Sequence, residues 1–310
     1  MEITADPIRQ DVFMAMPVHG QAHSATDRLS QPPPLRRGGY SGKPLRGRTL
    51  SLCCLLLVTN TVASAATPSA TDIVSHCYYK YAGDDQRSRL TITFSDQNGK
   101  LGETEYRRLW KQYDSKNGVL DKVILFTESP TASRDVNFMR WGYPAKSGKP
   151  PDQWVYLPEM HMVRRISQRD PNNMDWGYTD DDLRIRDLDE DDHRLKQIEL
   201  SNGQEFYVVE SIPRRASTYG KRISYFNKTT DWQDCAPRRV DYYDKNGELL
   251  KQEFITWKRV KTAWVWETAV MYNVRTKVSV SYRMQETVVN VGLDDRLFSE
   301  RQLRRGYPGP

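Results

Sequence analysis

The stretch KQEFITWKRVKTAWVWETAVMYNVRTKVSVSYRMQETVV, Lys251–Val289, holds three runs in which Val, Ile, Tyr, Phe, Trp and Thr alternate with polar residues. Period-two alternation marks strands whose two faces meet different surroundings. Outward from this stretch the pattern recurs in RLTITF, TEYRRLWKQY, DKVILFTE, DVNFMRW, QWVYLP, HMVRRI, LKQIEL, EFYVVESI, KRISYFN and RRVDYYD, all between Arg89 and Asp244. So many consecutive strands, with no helical pattern between them, argue for antiparallel sheet. Asn98-Gly99, Asn202-Gly203 and Asn246-Gly247 lie between alternating runs, and Asn-Gly supplies the positive φ values that a two-residue hairpin turn requires.

A single sheet of roughly eleven to thirteen strands curls on itself, because each strand is rotated relative to its neighbour. Closure or near closure into a barrel follows, and a barrel of more than about eight strands is too wide for its own side chains to fill. The expectation is a mainly β, single large antiparallel barrel with a cavity. Helical signal is confined to ATDIVSHCYYKY (Ala70–Tyr81), with Thr71 or Asp72 as cap, to YTDDDLRIRDL (Tyr178–Leu188) and to LDDRLFSERQLRR (Leu293–Arg305).

The N-terminal part reads differently. Residues 1–47 include the Pro/Gly/Arg-rich run QPPPLRRGGYSGKPLRG, which cannot bury enough surface to offset its ordering entropy; this extension is expected to be disordered or not translated. In 48–65, Arg48 is followed by LSLCCLLLVTNTV and ASAA, the order of a signal peptide cleaved after Ala65. The apolar run falls well short of the ~20 residues that cross a membrane, and Leu52 ahead of Cys53 excludes a lipoprotein cysteine. The exported domain is then 66–310, placed in the periplasm.

Seven of the 46 Lys and Arg and four of the 40 Asp and Glu lie in residues 1–65, leaving 39 against 36 in the exported part. That near-neutral balance removes the main support for a nucleic-acid partner. Cys77 and Cys235 remain of four cysteines; in an oxidising compartment they point to one disulfide, with two buried free thiols as the alternative.

The acidic run Tyr178–His193 lacks the alternating acids and Gly turn of a calcium loop, and Arg184, Arg186 and Arg194 are placed to neutralise it as surface pairs. His76, His161 and His193 lack zinc spacing. No nucleophile elbow, P-loop or dinucleotide fingerprint occurs. No metal, cofactor or catalytic residue is therefore assigned, and the protein reads as a non-enzyme. Its tryptophans, Trp110, Trp141, Trp154, Trp176, Trp232, Trp257, Trp264 and Trp266, serve as sheet packing or, for a subset, as the wall of a cavity for an apolar ligand.

The segment QWVYLPEMHMVRRISQRDPNNMDWGYTDDDL (Gln153–Leu183) resembles the Trp-x-Tyr-Leu-Pro…Arg-Arg-Ile…Asp-Leu block of the periplasmic outer-membrane lipoprotein-sorting, LolA-like proteins associated with membrane transporters. RRVDYYDKNGELLK (Arg238–Lys251) and NVGLDDRLFSERQLRR (Asn290–Arg305) are similar to two further blocks of that family. The resemblance implies a LolA/LolB-like half-closed barrel covered by short lid helices, whose cavity takes up acyl chains of lipoproteins or lipids. It also implies an inner-membrane transporter of the RND type as partner, with the carrier a monomer. Ligand-binding candidates are Trp110, Phe126, Phe138, Trp154, Tyr156, Met162, Arg164, Ile166, Met174 and Trp176.

In WVYLPEMHMVRRI (Trp154–Ile166), alternation read straight through puts Trp154, Tyr156, Met162, Arg164 and Ile166 inward and Val155, Leu157, Val163 and Arg165 outward; the opposite register would put Arg165 inside. An inward Arg164 needs a partner, because desolvating a lone guanidinium is costly. The expected partner is a carbonyl or acid of the 170–182 loop, forming a latch that opens when cargo enters. The alternatives are a non-carrying accessory subunit of a transporter and a hydrolase using clustered acids.

Overall fold

The computed structural model describes residues 67–166, 186–215 and 217–309. Each alternating run becomes one strand. The first six are β1 (Asp85–Asp96), β2 (Gly99–Gln112), β3 (Asp121–Ser129), β4 (Asn137–Gly142), β5 (Asp152–Leu157) and β6 (Met162–Ile166). The other seven are β7 (Asp191–Ser201), β8 (Gln204–Pro213), β9 (Lys221–Asn227), β10 (Pro237–Tyr243), β11 (Leu249–Val260), β12 (Ala263–Asn273) and β13 (Ser279–Val289). They form one 13-stranded sheet in the order β6-β5-β4-β3-β2-β1-β13-β12-β11-β10-β9-β8-β7, antiparallel at every step. Two meanders, β1–β6 and β7–β13, are thus joined through β1 and β13. The sheet does not close: β6 and β7 are its free edges. A half-open barrel is the result.

Pairing registers separate the two faces. In β1, Leu90, Ile92 and Phe94 share one face with Met284, Tyr282 and Val280 of β13, whereas Arg89, Thr91 and Thr93 share the other with Gln285, Arg283 and Ser281. The first face is the inner one: Leu90, Met284 and Val280 are buried, and further round the sheet so are Met271, Val240, Tyr242, Val209 and Tyr207. On the outer face Arg107 donates to Glu128 at 2.8 Å and to Glu286 at 2.9 Å.

Two short helices lie on opposite faces. α1 (Ala70–Cys77) is started by Ser69, whose hydroxyl accepts from the Asp72 backbone N–H while the Asp72 carboxylate accepts from Ser69. The cap is therefore Ser69, two residues ahead of Thr71 and three ahead of Asp72, because the reciprocal bond requires an acid three residues after the cap. Ile73, Val74 and Cys77 pack on Tyr207, Val209 and Phe226 of the inner face. His76 stacks on Trp232 at 4.9 Å, and Tyr79 Oη donates to the Arg186 carbonyl at 2.6 Å. α2 (Glu300–Arg305), preceded by a 3-10 turn at Asp295–Leu297, belongs to the outer face. Its Leu303, with Phe298, Leu293, Leu297 and Tyr307, buries Leu109, Ile124, Phe126 and Met139. Among the described residues no helix is long and apolar enough to cross a membrane.

Turns depart from the Asn-Gly expectation in two of three places. Asn202 and Gly203, with φ of +49° and +78°, form the two-residue link between β7 and β8. Asp96 pairs with Gly99, so the β1–β2 link is Gln97-Asn98, held by the Asp96 carboxylate accepting the Asn98 N–H at 2.7 Å. Between β10 and β11 the Asp244 carboxylate accepts the backbone N–H groups of Asn246 and Glu248 and widens the link to five residues.

Cys77 and Cys235 are bonded, fastening α1 to the loop after β9 across 158 residues of sequence; the free-thiol alternative is set aside. Closing so long a loop restricts the unfolded chain. A Cys77→Ala/Cys235→Ala variant is expected to lose about 2–5 kcal/mol of unfolding free energy, read from urea denaturation followed by tryptophan fluorescence. Unchanged stability would show that α1 is held by its apolar contacts alone.

Candidate functional site

α1 covers the inner face over β7–β9. Over β1–β6 that face is built from three rows running across the strands. One row is Arg108, Leu125, Phe138, Val155 and Arg164; the next is Trp110, Val123, Arg140, Gln153 and Ile166; a third includes Tyr106, Thr127, Leu157 and Met162. Ile92, Phe94, Tyr106, Leu125, Phe138, Val155, Leu157 and Tyr282 are only half-buried. Apolar side chains from six neighbouring strands thus line a strip of the inner face that stays partly accessible.

The registers correct the expectation for the hairpin. β5 and β6 are linked by four residues, the 3-10 turn Pro158–Met160 and its cap His161, so Leu157 pairs with Met162 and Tyr156 with Val163. An even number of linking residues reverses the parity of the alternation across the turn. Trp154, Tyr156, Val163 and Arg165 consequently share the outer face, and Met162, Arg164 and Ile166 the inner one. Trp154 and Tyr156 pack under the C-terminal segment together with Phe126, and Trp154 meets Trp141 edge-on at 5.3 Å. These three aromatics are outer-face core, not cavity wall. Of the remaining candidates, Trp110, Phe138, Met162, Arg164 and Ile166 lie on the inner face, with Met162 and Arg164 exposed at its edge strand. Met174, Trp176 and the 170–182 partner expected for Arg164 lie outside the described residues.

A polar group is built into the same strip around Trp110, and its members Asp121, Arg140 and Arg108 were not among the candidates. The Trp110 indole N–H donates to Asp121 Oδ2 at 3.0 Å, and Arg140 Nη1 donates to Asp121 Oδ1 at 3.1 Å. Gly142 makes room for them: a Cβ there would lie 2.1 Å from Asp121 Oδ1. Arg108 Nη1 donates to Gln86 Oε1 at 2.8 Å, and its guanidinium lies over the Trp110 ring at 5.9 Å. Burial drives the Arg108 pKa down to about 10, against the pull of Asp121, and burial pushes the Tyr106 phenol up. Tyr106, Arg108 and Trp110 occur at spacing two in TEYRRLWKQY, so the alternation that placed Trp110 inward carried Arg108 with it.

The acidic run resolves partly. Arg186 is not a surface residue but buried, and donates to both carboxylate oxygens of Asp191 at 3.1 Å, with Arg222 on the same carboxylate. His193 bonds Ser211 Oγ at 2.9 Å and the Leu188 carbonyl at 3.1 Å, and burial lowers its pKa. These contacts fix the start of β7 beneath α1.

A family model described as "Uncharacterized protein" matches residues 120–305, more than half of the chain. The chain belongs to that family. No curated protein matches it in sequence. Among solved structures, it is similar to a DUF1329 family protein from Desulfovibrio piger at 21% identity and a TM-score of 0.63, covering 76% of this chain and 95% of that one. It is similar to a putative outer membrane lipoprotein-sorting protein domain from Vibrio parahaemolyticus at 22% identity and 0.62, covering 76% and 97%. A LolA superfamily protein from Nitrosomonas europaea matches at 16% identity and 0.53, covering 76% and 100%. The fold implied by the sequence resemblance is therefore the fold of this family member: a LolA-like half-open barrel.

Asp121 holds the inner polar group together, since it alone accepts from both Trp110 and Arg140. Asp121→Asn keeps the shape but removes the charge facing a buried guanidinium. It is expected to cost about 2 kcal/mol of unfolding free energy, measured by urea denaturation; a loss below a few tenths of that would mean solvent already neutralises Arg140.

Proposed function

We propose that this protein is an exported, periplasmic carrier that holds an acyl chain of a lipoprotein or lipid against the inner face of its half-open barrel. Its cargo moves toward the outer membrane, and an inner-membrane transporter of the RND type supplies it. The observation that carries this reading is the half-buried apolar strip Ile92, Phe94, Leu125, Phe138, Val155 and Tyr282, on the concave side and beyond the reach of α1. Apolar surface left open inside a fold marks a binding site. The lipoprotein-sorting and LolA names carried by structures of the same fold agree with it, as does the signal-peptide pattern of residues 48–65.

The energetics suit a carrier. Hiding a ~16-carbon chain gains on the order of 12 kcal/mol at roughly 0.8 kcal/mol per methylene, before the losses of ordering it. A chain held that firmly leaves only if the pocket is opened by a partner or the chain is taken up by another apolar surface. Either route fits a protein that works between two membranes.

The purified domain, freed of lipid, should bind a fluorescent C16 acyl probe saturably at one per chain. Ile92→Glu, which puts a charge in the middle of the strip, should weaken that binding at least tenfold with an unchanged far-UV spectrum. A wild-type protein that binds no acyl probe, yet is captured by a membrane transporter, would replace the carrier with an accessory subunit.

A further inference from the structure

Several ionisable groups of the inner face are matched with opposite charges. Asp191 is shared by Arg186 and Arg222, Arg140 faces Asp121, and Glu253 accepts from Tyr242 at 2.8 Å beside Lys251. Arg108 is bonded by no carboxylate among the described residues; its partners are the neutral Gln86 amide and the Trp110 ring. A guanidinium presents five N–H donors in a planar fork suited to a two-oxygen anion. One donor is used on Gln86, and Arg140 Nε nearby is buried with no hydrogen-bond acceptor. A guanidinium with no carboxylate bonded to it is costly to desolvate; Asp121 acts on Arg108 only through space, and Arg108 sits at the head of the apolar row Leu125, Phe138 and Val155.

We infer that Arg108 is the anchor for the negatively charged end of the bound amphiphile, so that the cargo is an acyl chain ending in a carboxylate or phosphate. This rests on the carrier reading and narrows it. The anion gives Arg108 the bonded counter-charge that it lacks among the described residues, and the chain runs from there along Leu125, Phe138 and Val155 toward the open edge at β6. Those residues span four strand spacings from Arg108 to Arg164, about 19 Å at roughly 4.8 Å each. The lowering of the Arg108 pKa by burial agrees with this placement. An uncharged ester gains the same chain burial but leaves Arg108 unmatched.

The test compares cis-parinaric acid with its methyl ester by fluorescence titration, on wild-type, Arg108→Gln and Arg108→Lys proteins. The wild type is expected to bind the acid at least tenfold more tightly than the ester. Arg108→Gln should erase that preference by weakening the acid alone, and Arg108→Lys should keep part of it. Equal affinity of the wild type for acid and ester overturns the assignment, and needs no variant to fold. So does Arg108→Gln weakening both probes equally, which makes Arg108 a structural residue. Displacement of the acid by millimolar inorganic phosphate without a chain would reassign the site to a free anion. Binding of neither probe removes this inference and the carrier reading together, whereas ester binding with no acid preference removes this inference alone.

Discussion

The pairing of β1 with β13 is the contact on which the molecule depends. It brings Asp85–Asp96 beside Ser279–Val289, nearly 200 residues later, and without it the chain would be two separate meanders. Asp85 secures the join. Buried at 3% exposure, its carboxylate accepts the backbone N–H groups of Val291, Gly292 and Leu293 at 2.8–2.9 Å. Three amide donors solvate a carboxylate that has lost its water. The same three bonds turn the chain as it leaves β13 and send it across the outer face, where Phe298 and Leu303 fill the core over β2–β4. One acid thus links sheet assembly to the C-terminal cover.

That arrangement explains why the inner face stays open. A curled sheet this wide has two surfaces to bury and few helical residues to do it with. The C-terminal segment is committed outside, so α1 is the only described helix within, and it reaches β7–β9 alone. The buried Arg186–Asp191–Arg222 group and the disulfide hold α1 at that end. Over β1–β6 no described helix packs on the inner side chains, and many of them stay half-buried. Accessible apolar surface there follows from which face each cover was assigned to.

Strands were legible because alternation is local: every run read from the sequence became a strand, and the antiparallel order followed from the lack of helices between them. The faces were less legible. Across Pro158–His161 the residues Trp154, Tyr156, Met162, Arg164 and Ile166 look like one continuous even-numbered series, but the side a residue faces after a turn depends on how many residues the turn consumes. Phe126, Trp154 and Tyr156 were misplaced for a second reason. Burial on the outer face depends on a segment more than a hundred residues downstream, and no local pattern reports such a cover. Arg108 was within reach, since it shares the parity of Tyr106 and Trp110. An arginine in a strand otherwise reads as a solvated residue, and only its neighbours in the folded sheet, here Gln86 and Trp110, tell the two apart.

Magnitudes decide what such an arginine contributes. Chain burial, on the order of 12 kcal/mol for sixteen carbons, exceeds the roughly 1.5–3 kcal/mol of a charged hydrogen-bonded contact. Arg108 therefore cannot be the main source of affinity. Its influence is on choice and direction: a neutral headgroup leaves the guanidinium desolvated and unmatched, and an anionic one turned the wrong way leaves it equally so while placing its own charge against Phe138 and Val155. Against a neutral headgroup the discrimination is therefore the contact itself, and against a reversed anion it is larger by the cost of burying the misplaced charge. An apolar strip accepts any chain of suitable length; one cation with no bonded carboxylate at the head of an apolar row is enough to make the strip selective.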